Sequence, residues 1–166
     1  MKALFEKIDT DGASFHVRQR AGSHFDFCWH FHPEFELTYI VSSRGRRFVG
    51  DSMEEYSDGD LVLLGGNLPH TWQSDEAGRR GSRHVAVYAQ FLDSFLGEAF
   101  MQKQELAQVS RLLQRAAPGL VFSGRTQRAA GAMMQELLRA SGMKRLLKLL
   151  EILEVLSRSD EVSTLS

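Results

Sequence analysis

The sequence predicts a mainly β domain, a small sandwich or barrel, followed by a helical region. Up to about residue 92, Gly, Ser and Asp turn signals punctuate short runs of aromatic and β-branched residues. Beyond it, Leu, Met, Ala, Gln and Arg recur at helical spacing. The 166 residues suit one structural domain with a real core: a β unit over 1–92, and a helical region over 93–166 packed on it.

Taken in order, the segment to about Ser14 is an arm or the lead-in to a first strand. Phe25 to His32 alternates with period two, which places Phe25, Phe27, Trp29 and Phe31 on one face and His24, Asp26, Cys28, His30 and His32 on the other. With the His face towards a lumen, the aromatics are expected under the helices. The opposite orientation would expose the histidines. Phe35 to Val41 is the next strand. It stops at Ser42-Ser43-Arg44-Gly45, and Arg46 to Val49 pairs back, with Arg44, Arg46 and Arg47 expected in solvent. Met53 to Tyr56 ends at Ser57-Asp58-Gly59-Asp60. Leu61 to Leu64 is apolar throughout and reads as a buried strand. Gly65-Gly66-Asn67 breaks it before His70 to Gln73. Asp75 to Ser82 reads as a polar loop. His84 to Phe91 alternates again, with Val85, Val87, Ala89 and Phe91 together.

A short helix is expected over Asp93–Ala99, and a firmer one over Glu105–Ala117 that stops at Pro118-Gly119. Leu120-Val121-Phe122 is a short extra strand. Ser123 is placed to cap a helix over Arg125–Ala140, and Gly142 separates it from a last helix over Met143–Ser157. At about 100° per residue, the apolar residues of that last helix cover well over half its circumference. Its own core needs less, so the pattern predicts a second subunit against it. The other reading is burial within one chain.

The net charge of -1 leaves no basic footprint for nucleic acid in the chain as a whole. The two long helices flanking Gly142 have the outline of a helix-turn-helix, but the second is mostly apolar where a recognition helix needs polar side chains. Nothing approaches the roughly 20 apolar residues of a membrane span. The N-terminus lacks the apolar run of a signal peptide, and Cys28 stands alone, without an internal disulfide partner. A cytoplasmic location is expected.

Four residues carry chemistry. His30 and His32 share one face of an extended segment, Glu36 follows, and His70 lies in Leu68-Pro69-His70-Thr71-Trp72. Three imidazoles and a carboxylate suit a divalent Zn, Ni, Fe or Mn ion, and Pro33 favours a break that lets Glu36 approach from the next strand. A metal-free, hydrogen-bonded pocket lining is the alternative. Trp72, Tyr88 and Gln90 are candidates for contacts with a small molecule, or for core and strand-edge roles. No nucleophile–base pair is evident. Cys28 reads as packing, and Glu34 as a carboxylate beside the ligand Glu36.

The β half resembles the cupin superfamily of jelly-roll barrels. His30, His32, Glu36 and Gly45 match its first motif, and Gly59 and His70 its second, with Gly65, Asn67 and Ser74 departing from the usual residues. A narrower resemblance covers most of the chain. His32-Pro33-Glu34-Phe35-Glu36-Leu37-Thr38-Tyr39, Gly59 to Leu64, Asn67 to Trp72, Leu112 to Ala116, Phe122-Ser123-Gly124 and the Leu-rich helix look like the N-terminal effector domain of AraC/XylS-type transcription regulators. That resemblance implies a cupin-like barrel that binds a small-molecule effector, and a C-terminal helical dimerisation region forming a homodimer. It also implies DNA contact only through a helix-turn-helix module outside this chain. It implies sensing, with no catalytic residue. A stand-alone metal-dependent cupin enzyme, of dioxygenase or isomerase type, is the competing reading.

Overall fold

This computed structural model describes residues 2–75 and 83–166, and among them are eleven strands and four α-helices. Beyond Asp75, the loop expected to Ser82 lies outside the described residues. The strands are β1 (Leu4–Phe5), β2 (His16–Gly22), β3 (His30–Phe31), β4 (Phe35–Ser42), β5 (Gly45–Val49), β6 (Ser52–Tyr56), β7 (Leu61–Leu64), β8 (His70–Ser74), β9 (His84–Phe91), β10 (Leu120–Phe122) and β11 (Val162–Thr164). The helices are α1 (Glu98–Met101), α2 (Ala107–Arg115), α3 (Gly124–Arg139) and α4 (Gly142–Ser157). Among the described residues, no helix is long and apolar enough to cross a membrane.

One sheet runs β1-β3-β8-β5-β6, the other β11-β10-β7-β4-β9-β2. Alternation gives the six-stranded sheet two different faces. Leu37, Leu61, Leu63, Val87, Ala89 and Phe91 point to the helices and meet Leu112, Leu113, Met134, Leu137, Leu149, Ile152 and Leu153 in one core. Ile40, Val62, Leu64 and Ala86 point the other way and meet Val49, Tyr56 and Trp72 between the sheets. That explains the unbroken Leu61–Leu64 run: both faces of β7 are buried. Gly131 of α3 lets that helix approach closely, because a Cβ there would strike the Tyr39 ring.

The strand expected over Phe25–His32 is only partly realised. Just His30–Phe31 joins a ladder. Upstream, side-chain hydroxyls of the neighbouring strand take the backbone bonds: Phe25 N–H donates to Ser74 Oγ (2.8 Å) and Cys28 N–H to Thr71 Oγ1 (3.0 Å). The aromatics accordingly separate, and none of the four lies in the core beneath the helices. Phe25 enters the space between the sheets. Phe27 stacks on Trp29 and meets Phe48 edge-on, and Phe31 meets Phe5. Arg47, expected in solvent, is buried and pairs with Asp60 and Glu54.

Ser123 occupies the N-cap position of α3 but makes no side-chain cap bond. Glu161 does that work from across the chain, accepting from Thr126 N–H (2.8 Å) and Arg125 N–H (3.2 Å). These backbone bonds, Thr126 first, hold the Glu161 carboxyl below its usual range. A depressed folded-state value means that the stabilisation is complete above the unfolded glutamate value of about 4.3 and is lost as pH falls through the folded one. Glu161→Ala should therefore lower the thermal midpoint at pH 7 more than Ser123→Ala does, and its deficit should vanish in acid below that window. Equal midpoints for the two variants at pH 7 would return the cap to Ser123.

Candidate functional site

Strand register assembles the site. In the five-stranded sheet His30 pairs directly with His70. In the six-stranded sheet Glu36 pairs with Gln90, Thr38 with Tyr88 and Ile40 with Ala86. Alternation aims all six of these latter side chains into the space between the sheets. His32 sits where the chain crosses from one sheet to the other, and Pro33 follows it. The loop before β8 closes on this crossover: Asn67 N–H donates to His32 O at 2.7 Å. Gly66 permits that closure, because a Cβ there would strike the Pro33 carbonyl oxygen.

The three imidazoles are oriented alike. Nδ1 of His30 lies 2.7 Å from Cys28 O, Nδ1 of His70 2.7 Å from Leu68 O, and Nδ1 of His32 3.1 Å from Glu34 O. A carbonyl only accepts, so each Nδ1 carries a proton and donates. In the neutral ring each Nε2 is then a lone pair. One ligating atom from each ring lies within 4.8 Å of the others. His70 Nε2 is buried without a hydrogen-bond partner. Glu36 Oε2 lies 3.1 Å from His32 Nε2 and 3.6 Å from His70 Nε2. Its carboxylate is pinned by Thr38 Oγ1–H on Oε1 (2.7 Å) and by Gln90 Nε2–H on Oε2 (2.8 Å).

Burial alone would raise the Glu36 pKa, but the imidazoles of His70 and His32 overcome it and hold the carboxyl well below its usual range. Burial would lower His32, yet the bond that a protonated Nε2 makes to Glu36, with the carboxylates of Glu36 and Glu34, raises it. At His30, burial and then His70 prevail and lower the pKa. The result is an ionised carboxylate facing imidazole nitrogens in a largely buried corner. Sequence placed His30, His32, Glu36 and His70 as candidate ligands, and the structure brings them together. Glu34 stands behind His32, its Oε2 buried without a hydrogen-bond partner and 3.5 Å from His32 Nδ1.

The site opens on a cavity of about 510 Å³. Along β4 and β9 its wall changes from Glu36 and Gln90, through Thr38 and Tyr88, to Ile40 and Ala86, from polar to apolar. Trp72, Tyr88 and Gln90 all line it, as do Arg20 and Phe25. Cys28 is exposed and also reaches the lining, so it is not packed in the core. Sequence reasoning missed Thr38, Ile40 and Ala86, although their period-two spacing from Glu36 and Gln90 carried the signal. Leu4, Phe5 and Glu6 also line the cavity, and no motif marks them.

The family model described as the AraC-like ligand binding domain matches residues 14–156. Among curated proteins no sequence matches. Two similar solved structures are of ToxT from Vibrio cholerae. One, at 16% identity and a TM-score of 0.50, covers 83% of this chain and 53% of that one. The other, wild-type ToxT from strain SCE256 with unsaturated fatty acid bound, is 12% identical, covers 83% and 52%, and has a TM-score of 0.52. At such identities the likeness is one of fold. The chain spans about half the length of these proteins.

The carbonyl contacts generate a spectroscopic expectation. Long-range proton–nitrogen NMR correlations at neutral pH should show His70 as the Nδ1–H tautomer, with Nε2 as the bare nitrogen. A proton on Nε2 instead would mean that the lone pair does not face the site.

Proposed function

The chain belongs to the AraC-like ligand binding domain family, and from that premise we propose that it is the small-molecule sensing and dimerisation domain of a cytoplasmic transcription regulator. DNA contact falls to a helix-turn-helix part outside this chain. The observation that carries this reading is the cavity between the sheets, graded from polar to apolar, with His30 and Glu36 lining its polar end and His32 and His70 packed behind them. Its size suits a small molecule. A ligand with one donor head and an apolar body matches the gradient.

We assign the polar end a divalent metal, held by His30, His32, Glu36 and His70. The donor set fits Zn, Ni, Fe or Mn, and the buried, unpartnered His70 Nε2 is a lone pair in search of a cation. The backbone carbonyls behind each Nδ1 supply the orientation that metal-bound imidazoles require. Such an ion would offer a Lewis-acidic anchor for the ligand's head. Binding is favoured over turnover because the family to which the chain belongs is a ligand-binding one, and Thr38 and Gln90 hold the Glu36 carboxylate towards the imidazoles as a ligand would be held.

The last helix carries the dimer. Leu149, Ile152, Leu153 and Leu156 are buried in the chain's own core, while Met143 and Leu147 are 70% and 51% exposed. Leu147 and Leu150 also line a groove with Leu106 and Val109. We place a second copy of the chain on this face. A ligand that binds two dimer arrangements unequally would then change how the DNA-binding parts are presented.

Two measurements test this reading. In a Trp29→Phe background Trp72 is the sole tryptophan, and a panel of small molecules with a donor head and apolar body should include one that saturably quenches it. Ala86→Phe, which fills the apolar end, should weaken that ligand by about tenfold or more, equivalent to about 1.4 kcal/mol. Undiminished affinity would place the ligand outside the lumen. Light scattering at micromolar concentration should report a dimer that Leu147→Glu converts to monomer. A monomeric wild-type chain would refute the dimer.

A further inference from the structure

Glu6 lies far from the histidines in sequence and belongs to no motif, yet its Oε2 sits 3.2 Å from His30 Nε2. Backbone pairing puts it there. β1 runs parallel to β3, with Leu4 opposite His30 and Phe5 opposite Phe31. Leu4 N–H donates to Trp29 O (3.0 Å) and Glu6 N–H to Phe31 O (2.9 Å). This short strand has little else to hold it, because Leu4 and Phe5 are 66% and 62% exposed.

The contact between Glu6 and His30 has an unusual character. His30 Nδ1 already donates to Cys28 O, so the neutral ring presents a lone pair at Nε2. A carboxylate oxygen and a lone pair then face each other, two acceptors that a cation would reconcile. The same pattern recurs one step deeper, where Glu36 Oε2 faces the unpartnered His70 Nε2 at 3.6 Å. Donors bound at about 2.0–2.2 Å to one ion lie roughly 3–3.5 Å from their neighbours in its shell. The Glu6–His30, Glu36–His32 and Glu36–His70 separations of 3.2, 3.1 and 3.6 Å are close to that spacing. Among the described residues, only the three imidazoles have donor atoms all within 4.8 Å of one another, so one shared ion would draw Glu6 inward from its contact with His30.

We propose that Glu6 is a further ligand of the metal held by His30, His32, Glu36 and His70, so that metal binding fastens the N-terminal strand over the cavity. The inference rests on the metal reading above and adds a residue to it. Metal occupancy then governs access to the cavity, since Leu4, Phe5 and Glu6 form part of its lining.

The test uses the full chain and two metals, Zn(II) and Co(II), with Glu6→Gln and His70→Ala as variants. Wild type should bind one equivalent, and His70→Ala should lose it. Glu6→Gln should retain an ion, bind it about tenfold or more weakly, and show a changed Co(II) visible spectrum. In wild type, metal should slow amide exchange at Leu4 and Glu6, and Glu6→Gln should abolish that slowing. If Glu6→Gln binds with wild-type affinity and spectrum, Glu6 merely hydrogen-bonds a protonated His30 and the proposal fails, while the metal reading stands. If wild type binds no ion, or His70→Ala binds as wild type does, both fail.

Discussion

The six-stranded sheet must bury two unlike faces at once, and the rest of the molecule depends on how its strands meet that demand. Every second residue of β4, β7 and β9 is committed to the helices, where Leu37, Leu63, Ala89 and Phe91 join an apolar core. The residues between them are left to line the space between the sheets. On β7 these are Val62 and Leu64. On β4 and β9 they include Glu36, Thr38, Tyr88 and Gln90, with Ile40 and Ala86 beyond. A slip of one residue would turn Glu36 into the helix core and Leu37 into the cavity. The apolar core therefore fixes the register, and the register places the polar wall.

The site is the meeting of two such registers. The His30–His70 pair comes from one sheet and the Glu36–Gln90 pair from the other, with His32 on the crossover between them. Each ring is set by a bond from Nδ1 to a main-chain carbonyl, and Glu36 by Thr38 and Gln90. The groups that would meet a ligand are thus held by backbone and by neighbours rather than by the ligand. Pre-organisation of this kind lowers the ordering cost of binding. The same bonds hold the Glu36 carboxylate in one position facing the imidazoles.

Much of this was legible in the sequence for identifiable reasons. β4 to β9 follow period two or carry unbroken apolar runs between strong turns, so their bounds are recovered to within a residue or two. The helices α2, α3 and α4 follow their apolar stripes and the breaks at Pro118-Gly119 and Gly142. β2 escaped notice because it is an edge strand whose residues are mostly exposed and polar. β1 and β11 are two and three residues long, too short to show a period. The strand predicted over Phe25–His32 is realised only at His30–Phe31, because upstream the Ser74 and Thr71 hydroxyls, not a ladder, take the amides of Phe25 and Cys28. The cap of α3 and the contact of Glu6 with His30 both join residues distant in sequence, which no local pattern encodes.

One proposal underlies the rest: the polar end of the cavity is a metal centre built from both sheets. Crystals of the chain grown with Co(II) and measured on either side of the cobalt absorption edge test it most directly. The account predicts a single strong anomalous peak bounded by His30, His32, Glu36 and His70. Full soaking with no peak there, or with cobalt only at surface carboxylates, would contradict it.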